Sequence, residues 1–275
     1  MVLQRQKSRR VALLPEGLRV HRPLRWWHEV LILIVLDVIY ERLHNLVPTQ
    51  EHAAIDRSQD LFELTVRWHV DIELTLNHWL AAHPTIGRLA EFDYSFFHLT
   101  VTAAVLIWLF AFHARVYRAA RTALVVLTAI ALTWFYIMPM APPRLLPHSG
   151  FIDTAVLFHS AMSWSTPTVV DHSNQFAAMP SLHCAWAFWC GVCIYALSSR
   201  VWVRVLAVAY PATTFLVVLG TANHFVLDCI AGAAVTALAF GIQRLLSGHR
   251  AFEPAPDRDE AGSRCRKRPE FASRG

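Results

Sequence analysis

The chain has 275 residues, of which 55% are hydrophobic and 16% charged, with a net charge of +5. That balance is too apolar for a soluble domain of this length and places most of the chain in a bilayer. The basic excess then reads as a topology signal with attraction to anionic inner-leaflet lipids, and nucleic acid is not an expected partner.

Residues 1–28 carry Arg5, Lys7, Arg9, Arg10, Arg19, Arg22 and Arg25 and read as a basic cytoplasmic arm. The first apolar run starts too far in, and without a small-residue cleavage site, to be a signal peptide, so it is expected to remain as an anchor. A membrane domain follows over 29–246. A hydrocarbon core roughly 30 Å thick needs about 18 to 20 apolar residues per helix. On that measure six spans are predicted: Glu29 to Val47, Tyr94 to His113, Thr122 to Met140, Leu182 to Leu197, Val205 to Ala222 and Phe225 to Leu246. The expected fold is therefore all-α, a polytopic bundle of six transmembrane helices. Asp37, inside the first span, is a costly residue in lipid and is expected either to snorkel, to contact another helix or to touch substrate.

Between the first two spans, Glu41 to Asp93 is rich in Asp and Glu and is assigned to the outer side. Leu61, Leu64, Val66, Trp68, Ile72, Leu74, Leu76, Trp79 and Leu80 recur there at helical spacing among charged residues, which predicts one or two amphipathic helices on the outer surface. Arg115, Arg118 and Arg121 then mark an inner loop, as do Arg200 and Arg204 between the fourth and fifth spans. Both termini are expected in the cytoplasm, and residues 247–275 read as a disordered cytoplasmic tail. The plasma membrane of a bacterium is the expected location.

Three polar stretches fall at the outer ends of the spans. The first is "APPRLL", in which Arg144 is the one cation of the outward loop from Ala141 to Pro180, stiffened by Pro142, Pro143 and Pro147. Its guanidinium is suited to grip two phosphate oxygens, with plain lipid-headgroup contact as the alternative. The second is "MPSLH", where Pro180 is expected at the first position of the fourth helix. There the first-turn amides, the Ser181 hydroxyl and the His183 imidazole would cradle an anion and supply an acid, or Ser181 would only cap the helix. The third is "NHFVLD", in which His224 and Asp228 are four residues apart and so share a helix face. The carboxylate can hold one ring nitrogen as N–H and leave the other as nucleophile or base, and a structural pair is the alternative.

Cys190 and Cys193 have redox spacing, but they lie in an apolar helix and are assigned to packing. Fifteen histidines include none at metal-binding spacing such as H-x-x-x-H, although His148, His159, His172, Asp153 and Asp171 are predicted outside, so no metal and no cofactor are expected. Most tryptophans read as interfacial anchors, with Trp164 and Trp186 as candidates to line a pocket.

"MPSLH" and "NHFVLD", with their histidines 41 positions apart, resemble the second and third signature motifs of the type 2 phosphatidic acid phosphatase (PAP2) superfamily. With "APPRLLP" the wording is most similar to the inositolphosphotransferase branch, which includes inositol phosphorylceramide synthase. The likeness runs from about Leu61 to Leu246. It implies a six-helix enzyme with a phosphohistidine intermediate: His224 the nucleophile, Asp228 its orienting partner, and His183 the acid and later the base. Arg144, Ser181 and Asn223 would bind the phosphoryl oxygens, and no metal would be needed.

The chain departs from the phosphatase pattern at three places. Ile137 stands where a lysine precedes the first-motif arginine, Leu182 where glycine separates serine from histidine, and Val218 where an arginine precedes the nucleophile. A site with one arginine suits a singly charged phosphodiester better than a dianionic monoester, unless His148 or His172 adds charge. The expected reaction is transfer of a phosphorylated headgroup, inositol phosphate being one candidate, from a phospholipid donor to a lipid or glycan hydroxyl. Hydrolysis of a lipid phosphomonoester is the alternative, and a non-catalytic lipid transporter or scaffold is the alternative of another class.

Overall fold

The computed structural model describes residues 25–45, 50–158 and 175–252. Asp171, His159, His172, Trp164, the end of the predicted first span and most of both terminal segments fall outside them, and the Asp37 side chain is not described. The regular structure of the described residues is helical, with one isolated parallel bridge between Met140 and Ala177.

In chain order the helices are α1 (Trp26–Asn45), α2 (Glu51–Arg67), α3 (Ile72–Ala81), α4 (Pro84–Phe92), α5 (His98–Phe112), α6 (Ala114–Ile137), α7 (Thr154–Leu157), α8 (Leu182–Leu197), α9 (Val201–Gly220) and α10 (Val226–Ser247). A π-helical turn, Asp93–Phe97, joins α4 to α5 without a break, so the predicted second span is the later part of a helix running from Pro84 to Phe112. Four helices among the described residues are long and apolar enough to cross a membrane: Pro84–Phe112, α6, α9 and α10. α8 has only 16 residues. α1 has 20 but carries Glu29, Asp37, Glu41 and Arg42, and it does not reach the same standard.

The bundle is close-packed around Leu109, Tyr117, Leu127 and Trp189, which are almost fully buried and come from α5, α6 and α8. Trp189 donates its indole N–H to the Ala120 carbonyl at 2.9 Å, so the polar atom of the largest buried side chain is satisfied. Cys184, Cys190, Cys193 and Cys229 are free and buried, as the packing assignment requires. Small residues let the backbones meet: a Cβ on Gly191 would lie 2.5 Å from the Ala207 carbonyl oxygen, which sets α8 directly on α9. α1 is tied to the bundle by Glu29, which accepts a hydrogen bond from Arg121 of α6.

The helices between the first two predicted spans exist, but α3 turns a different face inward from the one its apolar residues suggest. Its fully buried positions include Glu73 and Asn77, with Leu80 nearly so, while Ile72 and Trp79 are about half exposed. The reason is a long-range bond set that local periodicity does not reveal. Asn77 donates to the carbonyls of Ile152 and Gly220 and accepts from the Ile152 N–H at 2.8 Å, all three partner groups being backbone. Arg57 of α2 likewise donates to the Pro139 carbonyl at 3.0 Å.

Glu73 differs from Asn77 in that neither of its carboxylate oxygens has a hydrogen-bond partner. Burial, with smaller contributions from the charges of Asp71 and Asp228, pushes its carboxyl from 4.5 up to about 7. Between those two values the folded chain keeps a proton that the unfolded chain has lost. Stability therefore falls as pH rises through that window, and the cost is complete above about 7, at roughly 3 kcal/mol. Glu73→Gln removes the ionisation. In detergent it is expected to leave the thermal unfolding midpoint nearly unchanged at about pH 4, below both values, and to raise it by several degrees at about pH 8. An equal shift at both pH values would show that the carboxyl does not titrate in this way.

Candidate active site

The turn between α9 and α10 sets the first part of the site. The helix ends with Asn223 N–H donating to the Val218 carbonyl at 3.1 Å and Ala222 N–H to that of Leu219 at 3.0 Å, the paired bonds of a Schellman stop. Such a stop needs a left-handed residue, and Ala222 occupies it with φ of 52°. A side chain in that region costs roughly 1–2 kcal/mol, where glycine would cost none. The turn delivers His224 to the start of α10, where it is 4% exposed, and Asp228 is fully buried one turn on.

Asp228 Oδ2 accepts from the Phe225 N–H at 2.8 Å, capping α10, and lies 3.5 Å from His224 Nδ1. A carboxylate on Nδ1 favours the proton there and leaves Nε2 with its lone pair. Neither ring nitrogen of His224 makes a hydrogen bond in this structure, which is uncommon for buried polar atoms.

Ser181 is the N-cap of α8, and the helix proper starts at Leu182, two residues later than the expected start at Pro180. The serine oxygen accepts from the Cys184 N–H at 3.3 Å, leaving its O–H as donor to an anion. Its own N–H donates to the Asp228 carbonyl at 3.0 Å, which joins the two motifs directly. One residue on, the His183 ring lies 5.8 Å from that of His224, centroid to centroid, and its Nε2 is buried without a partner.

Arg144 comes from the 3-10 turn Pro143–Leu145, which follows α6. Its N–H donates to the Ala222 carbonyl at 3.0 Å and its Nε to Asn223 Oδ1 at 2.9 Å, so the guanidinium is anchored beside the histidine turn. Asn223 in turn donates to Thr221 Oγ1 at 2.9 Å, so both ends of its amide are engaged within the protein. The same guanidinium pairs with Asp153 at 3.5 Å, and Asp153 also caps α7 through the Ala155 and Val156 amides. Glu91 lies behind, accepting from Thr154 at 2.5 Å.

The structure thus brings Arg144, Ser181, His183, Asn223, His224 and Asp228 to one end of the bundle. His148 is exposed, and the described residues hold no cluster of three or more His, Cys, Asp or Glu able to bind a metal. A cavity of about 450 Å³ lies at the opposite helix ends, lined by Phe112, His113, Arg115, Leu197 and Phe252, remote from these groups. Sequence reasoning missed Asn77, which needs the fold to be seen, and weighed Asp153 only as a metal ligand.

A profile of the PAP2 superfamily matches residues 59–242, a stretch that contains all six of these residues. The chain belongs to the PAP2 superfamily. No curated protein and no solved structure matches it. Members of the superfamily are typically phosphatases or phosphotransferases, and their membrane-embedded character agrees with the four apolar helices of this PAP2 protein.

The contact of Ser181 with α10 depends on Gly232, where a Cβ would lie 2.6 Å from the Ser181 carbonyl oxygen. Gly232→Ala must push the start of α8 away and open the gap between the imidazoles. Loss of turnover by about 100-fold is expected from a displacement of this kind, with the helical circular dichroism retained. Full activity in this variant would show that the two motifs need not touch.

Proposed function

We propose that this PAP2 protein transfers a phosphorylated headgroup from a phospholipid to a hydroxyl acceptor. The observation that carries this reading is the charge at Arg144. Its guanidinium is already paired with Asp153, Glu91 lies behind it, and Ile137 and Val218 stand where the phosphatase pattern has cations. So weak a positive site favours one negative charge on phosphorus, that of a diester, over the two of a monoester.

In the proposed reaction His224 Nε2 attacks the phosphorus, forming an N–P bond as the P–O bond to the lipid alcohol breaks. His183 gives its proton to that leaving oxygen. The acceptor hydroxyl then attacks the phosphohistidine, its proton passes to His183, and His224 is released. Asp228 holds the Nδ1 proton throughout, while Arg144 and the Ser181 hydroxyl face the phosphoryl oxygens and Asn223 fixes Arg144. Almost all of this is positioning and electrostatics, as phosphoryl transfer generally requires. Inositol phosphate is the headgroup we favour, on the wording of the motifs.

We place the site at the outer face of a bacterial plasma membrane, with α1 and α8 completing six crossings and both termini in the cytoplasm. The grouping of Arg115, Arg118, Arg121, Arg200 and Arg204 at the other helix ends supports that orientation.

The purified protein, given a panel of head-labelled phospholipids with and without added alcohols, is expected to move label onto the alcohol. His224→Ala is expected to lower the rate at least about 1,000-fold without loss of folding. Release of inorganic phosphate from a labelled phosphatidate, with no transfer from any diester, would make the protein a lipid phosphatase instead. A protein with neither activity would return the polar cluster to transport or lipid docking.

A further inference from the structure

His98 is an ionisable residue within the helix Pro84–Phe112, where a phenylalanine or leucine would pack without polar cost. It follows directly on the π-helical turn, an insertion found frequently at functional sites. Its Nδ1 bonds the Tyr94 carbonyl of its own helix at 3.0 Å. A carbonyl can only accept, so Nδ1 carries the hydrogen and the ring has a fixed tautomer and orientation.

The ring so held lies 4.1 Å from that of His183, centroid to centroid, and 5.9 Å from that of Trp186. Tyr94 meets His183 as well, its ring stacked at 4.2 Å and only 17° from parallel. Trp186 is itself fixed by a hydrogen bond to Thr128 at 3.1 Å. His183 is therefore gripped by two rings from one helix turn, while its Nε2 is left without a partner.

We propose that His98, with Tyr94, is a positioning residue that orients the His183 imidazole for proton exchange with the leaving and incoming alcohols. The inference rests on the reaction proposed above. A leaving group needs that proton only if it is a poor one: an alkoxide must be protonated as the P–O bond breaks, whereas nitrophenolate departs as the anion. Disturbing His183 through His98 must therefore slow one kind of donor and spare the other. A merely structural role would slow both alike.

The test compares single-turnover formation of diacylglycerol from phosphatidylinositol in detergent micelles with the burst of nitrophenolate from p-nitrophenyl inositol phosphate. Both report only the first transfer, to His224. For His98→Phe, which keeps ring packing, a drop of about tenfold or more is expected with phosphatidylinositol and less than about twofold with the nitrophenyl ester. His98→Gln retains an N–H for the Tyr94 carbonyl and is expected to lie between wild type and His98→Phe. In a His183→Ala background the His98 substitution should add nothing further. Equal losses with both donors, or no loss with either, would overturn the proposal while leaving the transferase reading intact. A wild-type protein that shows no burst and forms no diacylglycerol from phosphatidylinositol or from any other phospholipid of the panel would overturn the transferase reading, and this inference with it.

Discussion

The hydrogen bond from Ser181 N–H to the Asp228 carbonyl, 3.0 Å long, is the contact on which the rest of the arrangement depends. It joins the N-cap of one helix to the first turn of another, using an N–H that a helix start would otherwise leave for water or a ligand. It is possible only because Gly232 removes a side chain from the approach. Once the two starts are locked, the histidine of each motif has little choice of place, and their rings end up 5.8 Å apart. A close backbone contact of this sort is also the way helices associate in lipid, where burial of apolar surface supplies no drive.

Around that junction the polar residues hold one another, and few are left over. Arg144 is fixed by Asn223 and Asp153, Asn223 by Thr221, and Asp228 by the Phe225 amide. What remains without a hydrogen-bond partner at the centre is His183 Nε2, both ring nitrogens of His224 and Asp228 Oδ1. Buried polar atoms rarely go unpaired, and the proposed reaction gives the two imidazoles a reason to be so. The left-handed Ala222 adds local strain next to the histidine, in keeping with the way functional turns hold conformations that a free chain avoids.

Much of this could be read in the sequence. The apolar runs gave an all-helical membrane chain because hydrocarbon imposes a length. His224 and Asp228 do meet, but not through the helical period the spacing suggested: α10 starts at Val226 behind an extended Phe225, so His224 precedes the helix and Asp228 lies in its first turn. The convergence of "APPRLL", "MPSLH" and "NHFVLD" on one end of the bundle followed from counting spans. Other features escaped because they are not local. α3 buries Glu73 and Asn77 and exposes Ile72 and Trp79, since Asn77 finds its partners 75 and 143 residues away. The π-helical turn that turns Tyr94 and His98 towards His183 leaves no mark in the hydrophobic pattern. The charge balance at Arg144 was legible only in part: the missing cations could be counted, but the pairing with Asp153 needed coordinates.

The central claim is that one phosphorus atom lies between His183 and His224 and is bonded for a time to the latter. The direct measurement is covalent trapping: the protein is mixed with a phosphorus-labelled phospholipid donor without acceptor, quenched in alkali, digested, and the labelled peptide is mapped. The account predicts an acid-labile, alkali-stable label on His224 that forms more slowly in His183→Ala and is absent in His224→Ala. Label on any other residue, or turnover with no covalent species at all, would contradict it.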